Sequence, residues 1–390
     1  MTMKRRYLHA HQWPYAVSTL ELGAMAQARL PAFAWEYIAA GAEEESTLRA
    51  NQAAFQAIRL NAQPLGGVAE PALAIQPHEH RWHLPLAISP TGYNGLLRKN
   101  ADILLAQAAA QNHIPFTLST VSCNSLEEVA DAAPDGERWF QLYPFADENI
   151  THDLLRRAAT CGFETLLVTI DAVTLGHREW YQRAFKKPGK LFLRHILDTG
   201  MHPRWMYQTL WPSGLPGLGN LAKYIGADQT ILGALEFTDS CFLKTLAWDH
   251  LAGIRKRWDG RLYVKGVLTA ETAMRAWGIG ADGVIVSNHG GRQIDGVPAT
   301  IEALPKIAAT RPSGGDVLLD SGIRRGSDVL KAIALGATAV MLGRPTLYGV
   351  TVGGSDGAAR ALQIIAGQLK DLMAQLGIAR IADITPAVLR

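Results

Sequence analysis

Short, continuously apolar runs recur along the chain, each followed by a stretch with helical periodicity. The runs are LPLAIS (84–89), IPFTLST (114–120), RWFQLYP (138–144), TLLVTID (165–171), RLYVKGV (261–267), GVIVSNH (283–289), DVLLDSG (316–322) and AVMLGR (339–344). A run this short and apolar throughout is what a strand buried on both faces requires. Between them NADILLAQAAAQN (100–112), ENITHDLLRRAATCG (148–162) and SDVLKAIALG (327–336) read as helices. The last has Ser327 as its expected N-cap and Gly336 just past its end. Eight strands alternating with helices predict an α/β chain folded as a (β/α)8 TIM barrel, in preference to a doubly wound open sheet.

Two regions fall outside the repeat. Residues 1–83 form an N-terminal extension, helical around LPAFAWEYIAAGAEEESTLRANQAAF. Residues 172–260, between the fourth and fifth barrel strands, far exceed a usual connection and are rich in Pro, Gly, Trp and basic side chains. The part from 177 to 260 is expected to be an insertion over the barrel mouth, since loops that follow the strands lie on that face. One domain then spans 1–390, with the barrel at 84–376.

Composition narrows the class. With 48% apolar residues in a chain of 390, disorder is excluded. A net charge of +3 is too small to argue for nucleic acid. Three cysteines cannot build a disulfide framework, so a reducing, cytoplasmic compartment is expected. No uncharged apolar run reaches the roughly 18 residues of a membrane span. The start, MTMKRRYLHAHQWPYAV, has a basic cluster with no apolar stretch after it, and so is not expected to act as a signal peptide.

Polar residues gather at the strand C-termini, the end that faces the active site in such a barrel. They are Ser119, Gln141, Tyr143, Thr169, Asp171, Lys265, Ser287, His289 and Asp320. One such residue is ordinarily a loop hydrogen bond; their recurrence on strand after strand points to a bound polar group. DSGIRRG (320–326) and GR (343–344) follow strands seven and eight, the usual phosphate position, with Arg324 and Arg344 to supply charge. The competing reading is an ordinary turn with solvated arginines. In SNHGGRQ (287–293), His289 is a base and Arg292 a carboxylate fork three residues on. That pairing suits chemistry at the α-carbon of a carboxylic acid, although a lone strand-end histidine is more often structural.

These motifs, SNHGGRQID with VKG upstream and DSGIRRGSDVLKAIALG downstream, resemble those of the FMN-dependent L-2-hydroxy acid oxidising enzymes. That family includes glycolate oxidase, bacterial L-lactate dehydrogenase, lactate monooxygenase and (S)-mandelate dehydrogenase. The resemblance runs from about residue 30 to the C-terminus. It implies FMN as cofactor and His289 as active-site base, with Asp171 stabilising its imidazolium form and raising its pKa. It implies that Arg178 and Arg292 hold the substrate carboxylate and that Tyr37 and Tyr143 bond the substrate. Lys265 would sit by the flavin N1–C2 edge. Ser119, Gln141 and Thr169 would bond the ring, with Pro90, Thr91 and Gly92 along it. Ser287 belongs to the same cofactor set, and Asp320, Gly322, Arg324, Gly343 and Arg344 would hold ribityl and phosphate.

Substrate and acceptor are read from finer resemblances. Val121 stands where glycolate oxidase has a Trp, leaving room for a larger substrate group. TIDAVTLGHREWYQR, HPRW (202–205) and LPGLGNL (215–221) look more like (S)-mandelate dehydrogenase, although Val121 also suits lactate. His177 departs from plant oxidases, which have Arg there. Gly92 is dehydrogenase-like, where glycolate oxidases tend to carry Ala. The expected reaction is (S)-mandelate to benzoylformate with a quinone as acceptor; the alternatives are L-lactate as substrate and O2 as acceptor. The family also implies a homotetramer.

Other classes fit less well. An IMP-dehydrogenase-like isomerase needs a loop cysteine nucleophile, which Cys123, Cys161 and Cys241 do not supply. An NAD enzyme needs GxGxxG after a strand, and GLPGLGNL has none before it. HEHRWH (78–83) lies before the first strand, on the face opposite the chemistry, and no metal is expected there. Residues 177–213 carry seven basic side chains against two acidic ones, a surplus larger than the +3 of the whole chain. Trp180, Tyr181, Phe185, Phe192, Trp205, Tyr207 and Trp211 are interleaved with them. The segment is expected to dock on an anionic membrane, placing the protein at the inner face of the plasma membrane; a solvated lid with inward aromatics is the alternative.

Overall fold

A computed structural model describes residues 9–62, 65–78, 80–187, 190–212, 214, 216–225 and 240–390. Its strands are β1 (Leu86–Ile88), β2 (Phe116–Ser119), β3 (Arg138–Leu142), β4 (Thr165–Thr169), β5 (Phe185–Lys187), β6 (Lys190–Leu191), β7 (Arg261–Val267), β8 (Gly283–Val286), β9 (Asp316–Leu319) and β10 (Ala339–Leu342). Eight of them form a closed parallel barrel in the order β1-β2-β3-β4-β7-β8-β9-β10, with β10 pairing back onto β1. This is the (β/α)8 architecture, and every barrel strand falls inside one of the apolar runs. β5 and β6 form a separate antiparallel hairpin.

The runs look uniformly apolar because alternate residues serve two cores. In β4, Leu166 and Val168 face the surrounding helices, while Leu167 points inward. Ala87, Trp139, Leu167, Tyr263, Ile285, Leu318 and Met341 fill the barrel interior, closed below by Trp82. Two residues further along the same strands come Ser89, Gln141, Thr169, Lys265, Ser287, Asp320 and Gly343. Ser119 follows the buried Thr117 in the same way. The polar layer is therefore the next inward-facing tier above an apolar plug, and side-chain alternation alone aims it at the mouth.

The N-terminal extension forms helices Thr19–Arg29, Ala32–Ala39 and Ser46–Ala57. Asp295, in the loop after β8, accepts the backbone N–H groups of Ser46 and Thr47 at 3.0 and 2.7 Å and anchors the third helix to the mouth. The expected cap at Ser327 is corrected. That helix starts at Gly326 with Arg325 as N-cap, and Asp328 reaches back to accept Arg324 N and Arg325 N, both at 2.9 Å. A carboxylate in the third helical position satisfies the free N–H groups better than the Ser327 hydroxyl inside the turn. Gly336 does lie just past the helix end, at φ +105°.

Of the 78–83 histidines at the barrel floor, His78 contacts Asp316, His80 lies 2.9 Å from Glu164, and His83 packs on the His113 ring. Between β4 and β7 the chain builds the β5–β6 hairpin and a helix, Leu193–Gly200. Among the described residues no helix is long and apolar enough to cross a membrane. The aromatics of this segment divide. Trp180, Phe192, Tyr207 and Trp211 are exposed. Trp205 is buried, donating to Leu96 O at 2.9 Å. Tyr181 and Phe185 turn inward to line the barrel-mouth cavity. Three of the seven aromatics of this segment therefore face the protein rather than solvent, as the lid alternative has them, and four stay available to a membrane surface.

Candidate active site

A cavity of about 610 Å³ opens at the C-terminal ends of the strands, within the range of cofactor and ligand sites. Its floor is a hydrogen-bonded shelf. Ser119 Oγ donates to Gln141 Oε1 at 3.0 Å, and Gln141 Nε2 donates to Thr169 Oγ1 at 3.0 Å. Lys265 is in register with Thr169 on the next strand; its Nζ donates to Ser287 Oγ at 2.8 Å and pairs with Asp320 Oδ2 at 3.1 Å. Ser119, Lys265 and Asp320 reach the cavity surface, whereas Gln141, Thr169 and Ser287 stand directly behind and orient them.

His289 lies next to this shelf, its backbone N–H donating to Ser287 Oγ at 3.1 Å. Its backbone takes φ +58°, followed by Gly290 at +67° and Gly291 at +71°. A side chain on Gly291 would strike Leu48 backbone at 2.6 Å, which explains the glycine. His289 Nδ1 meets Asp171 Oδ1 at 3.2 Å, and Nε2 meets Tyr143 Oη at 3.4 Å. Asp171 itself stands behind the histidine. Gly266 makes room for it, since a Cβ there would lie 2.7 Å from the carboxylate carbon.

The expected rise in the His289 pKa is corrected. Burial lowers it, and although the Asp171 carboxylate pulls it up, Lys265 and Arg178 add to burial and the net shift is downward. The imidazole is thus neutral near pH 7, as a proton acceptor must be. Burial pushes the Asp171 carboxyl up, but the His289 charge and hydrogen bond, with Lys265 nearby, hold it below the usual range.

Arg178, Arg292, Arg324 and Arg344 converge on the cavity, and among the described residues none is paired with a carboxylate. Burial, Arg178 and Arg344 together drive the Arg292 pKa well below its ordinary value. Half-buried cations converging without counter-ions mark an anion site. Arg292 Nη1 donates to Ala40 O at 3.0 Å, and its guanidinium lies 5.5 Å from the Tyr37 ring centre. Tyr37 Oη donates to Gly92 O at 3.0 Å. Arg344, expected on phosphate, spends its donors on backbone: Ile38 O at 2.7 Å, Gly290 O at 3.0 Å and Ala40 O at 3.3 Å. It clamps the Tyr37 helix to the mouth while adding positive potential. Arg324 remains beside Gly322 and Gly343 on the cavity wall, with Pro90, Thr91, Gly92 and Val121 across from it.

Two contributors lacked a sequence signal or escaped it. Gln293 Nε2 donates to Asp171 O at 3.2 Å and Thr174 O at 2.8 Å, and its Oε1 accepts Gly176 N at 3.0 Å. It ties the β4 loop to the His289 loop, and it stands next to Arg292 in the motif. Phe242 packs against Tyr143 in a tilted pair with ring centres 4.9 Å apart. It reaches the cavity because residue 242 bridges back to Phe145 across a long connection, which no local pattern reveals.

The residues suit FMN. Ser89 Oγ is buried at the cavity wall with no partner among the described residues, the Ser119–Gln141–Thr169–Lys265 shelf offers both donors and acceptors, and the glycines around Arg324 leave backbone accessible. Residues 26–390 match the family model of FMN-dependent dehydrogenase. The chain is 39% identical over 366 residues to an L-lactate dehydrogenase of Pectobacterium atrosepticum, covering 93% of this chain and 94% of that protein. It is 37% identical over 368 residues to an L-lactate dehydrogenase of Pseudomonas putida, covering 93% and 95%. Among solved structures it is similar to the monotopic membrane protein (S)-mandelate dehydrogenase, with a TM-score of 0.90 at 37% identity, covering 96% of this chain and 99% of that one. A mandelate oxidase with (S)-4-hydroxymandelic acid gives a TM-score of 0.82 at 31% identity over 96% and 98%. With the barrel, the anion site and the His289–Asp171 pair in place, the chain belongs to the FMN-dependent dehydrogenase family, oxidoreductases acting on 2-hydroxy acids.

Proposed function

We propose that this protein oxidises an aromatic L-2-hydroxy acid, (S)-mandelate, to benzoylformate and passes the electrons to a quinone. The observation that carries the aryl reading is the apolar share of the cavity lining, to which Val121, Phe242, Leu175 and the ring of Tyr181 contribute. Aromatic and aliphatic side chains of this kind suit a phenyl group.

Arg292 and Arg178 receive the substrate carboxylate, assisted by the Tyr37 and Tyr143 hydroxyls. That fixes the α-carbon next to His289 Nε2, which is neutral and accepts the proton. Asp171 on Nδ1 holds the tautomer and stabilises the imidazolium as it forms. FMN, when bound, supplies the two-electron sink. Lys265 places a buried cation at the shelf where negative charge would accumulate. Anaerobic bleaching of the holoenzyme with a panel of L-2-hydroxy acids tests the reading: (S)-mandelate reduces the flavin with the highest kcat/KM, and a clear preference for L-lactate overturns it. L-lactate is the second reading, favoured by the names of the relatives from P. atrosepticum and P. putida.

Quinone as acceptor goes with docking on an anionic membrane. The reading is supported by helix Leu193–Gly200, which exposes Leu193, Ile196 and Leu197, and by exposed Met201, Tyr207 and Trp211 beside it. Arg183, Lys186, Arg194 and Arg204 of the same segment are exposed, and a basic residue near anionic lipid contributes about 1 kcal/mol. A homotetramer remains the expected assembly, measurable by light scattering.

A further inference from the structure

Asp102 has no part in the chemistry, yet it is the most enclosed carboxylate near the cavity. It lies in the first turn of helix Ala101–Gln111 with no exposed surface. Among the described residues no cation pairs with it. Its partners are all N–H donors. Oδ1 accepts Asn94 Nδ2 at 2.7 Å, and Oδ2 accepts Cys123 N at 3.0 Å and Asn124 N at 3.4 Å. Asn94 Nδ2 also donates to Thr91 O at 2.9 Å. One carboxylate therefore grips both the Pro90–Thr91–Gly92 turn and the loop that follows Val121. The two are further joined by Tyr93 N donating to Val121 O at 3.0 Å.

Resting on the aryl reading above, we propose that Asp102 is a positioning residue for substrate selection: by holding the Gly92 turn against the Val121 loop, it sets the wall that meets the substrate side chain. Only an ionised carboxylate presents acceptors on both oxygens; an asparagine must point its NH2 at Asn94 or at the two backbone N–H groups. Leaving those donors unmet in a buried site loosens one loop against the other, with Tyr93 N to Val121 O as their remaining tie. His289 and Asp171 lie in the loops after β8 and β4, on other strands of the barrel than β1 and β2, so the proton-accepting step is spared.

Burial raises the Asp102 carboxyl to about 6 against the pull of its hydrogen bonds. The titratable groups around it are Cys123, Tyr37 and Tyr93, with Glu128 reaching Asn124 Nδ2 at 3.2 Å. Burial raises Cys123, Tyr37 and Tyr93, so these three stay protonated through neutral pH.

The experiment compares wild-type, Asp102→Asn and Asn94→Ala holoenzymes, measuring kcat/KM for (S)-mandelate and L-lactate and the Kd of benzoylformate and pyruvate by perturbation of the flavin spectrum. In Asp102→Asn the mandelate-to-lactate ratio falls roughly tenfold or more, the scale of a displaced apolar contact, and benzoylformate weakens in step while pyruvate does not. Asn94→Ala, which cuts one arm, shifts the ratio the same way by less, and it decides the matter if Asp102→Asn does not fold. In wild type the ratio falls as pH drops through about 6. Dependence on His289 cancels in it, since both acids use the same base. Ratios and Kd values within threefold of wild type, with no pH dependence, overturn the proposal. If wild type is reduced by neither acid, the functional reading fails separately, and the two Kd values still decide the role of Asp102.

Discussion

Gly92 and Val121 are in direct apposition: a Cβ built on Gly92 would stand 2.4 Å from Val121 Cγ2. The two residues bear on different questions in the sequence, the electron acceptor and the substrate. In the fold they are one contact. Real Cβ atoms do not approach this closely, so an alanine at 92 must displace Val121, a β-branched side chain with few rotamers to escape into.

Gly92→Ala therefore lowers kcat/KM for (S)-mandelate several-fold, and Val121→Ala in the same chain restores much of the loss. A double-mutant cycle on kcat/KM reads the coupling, and additive effects would contradict the contact. Val121→Trp fills the same space and shifts preference from mandelate towards lactate or glycolate.

His289→Gln abolishes substrate-driven flavin reduction by at least roughly 10²–10⁴ while FMN stays bound, the scale of a lost general base. Stopped-flow reduction alongside the flavin absorption spectrum checks both halves. Turnover within tenfold of wild type removes His289 from the base role.

The pH profile follows from the shift at His289. Its pKa lies below the ordinary value of about 6.5, so kcat/KM is flat at neutral pH and falls as pH drops through that lower value. Asp171→Asn removes the one carboxylate that raises the pKa, so the acid limb moves to still lower pH as the plateau drops. An acid limb above pH 7 in wild type would refute the assignment.

Gly266→Ala tests the space behind the base. Position 266 has φ +102°, and an added Cβ would lie 2.7 Å from the Asp171 carboxylate carbon. Asp171 must then move from His289, and kcat falls at least tenfold with less effect on FMN content. Flavin stoichiometry and kcat, measured together, separate this from simple misfolding.

The exposed stripe on helix Leu193–Gly200 carries the membrane expectation. Wild type floats with vesicles containing anionic lipid at low salt and is released as salt rises. Ser at Leu193, Ile196 and Leu197 abolishes flotation without altering flavin reduction by substrate. Wild type that stays in the soluble fraction points to a soluble oxidase.

Much of this was legible in the chain before folding. The continuous apolar runs of β1 to β4 and β7 to β10 specified a buried parallel barrel, because a strand covered on both faces has no polar side to display. The period of two then put Ser119, Gln141, Thr169, Lys265 and Asp320 at the mouth. The SNHGGRQ and DSGIRRG segments brought base and anion clamps within reach of each other by local spacing. What only the tertiary structure decided are quantities set by burial and by contacts distant in sequence. The His289 pKa goes down because desolvation outweighs Asp171, and charge pairing read from a motif carries no measure of desolvation. Phe242 reaches the cavity by bridging to Phe145, Arg344 turns to the carbonyls of Ile38 and Ala40, and Asp102 joins two loops that meet only when β1 and β2 lie side by side. None of these has a local pattern, since each depends on where the closed barrel brings its loops.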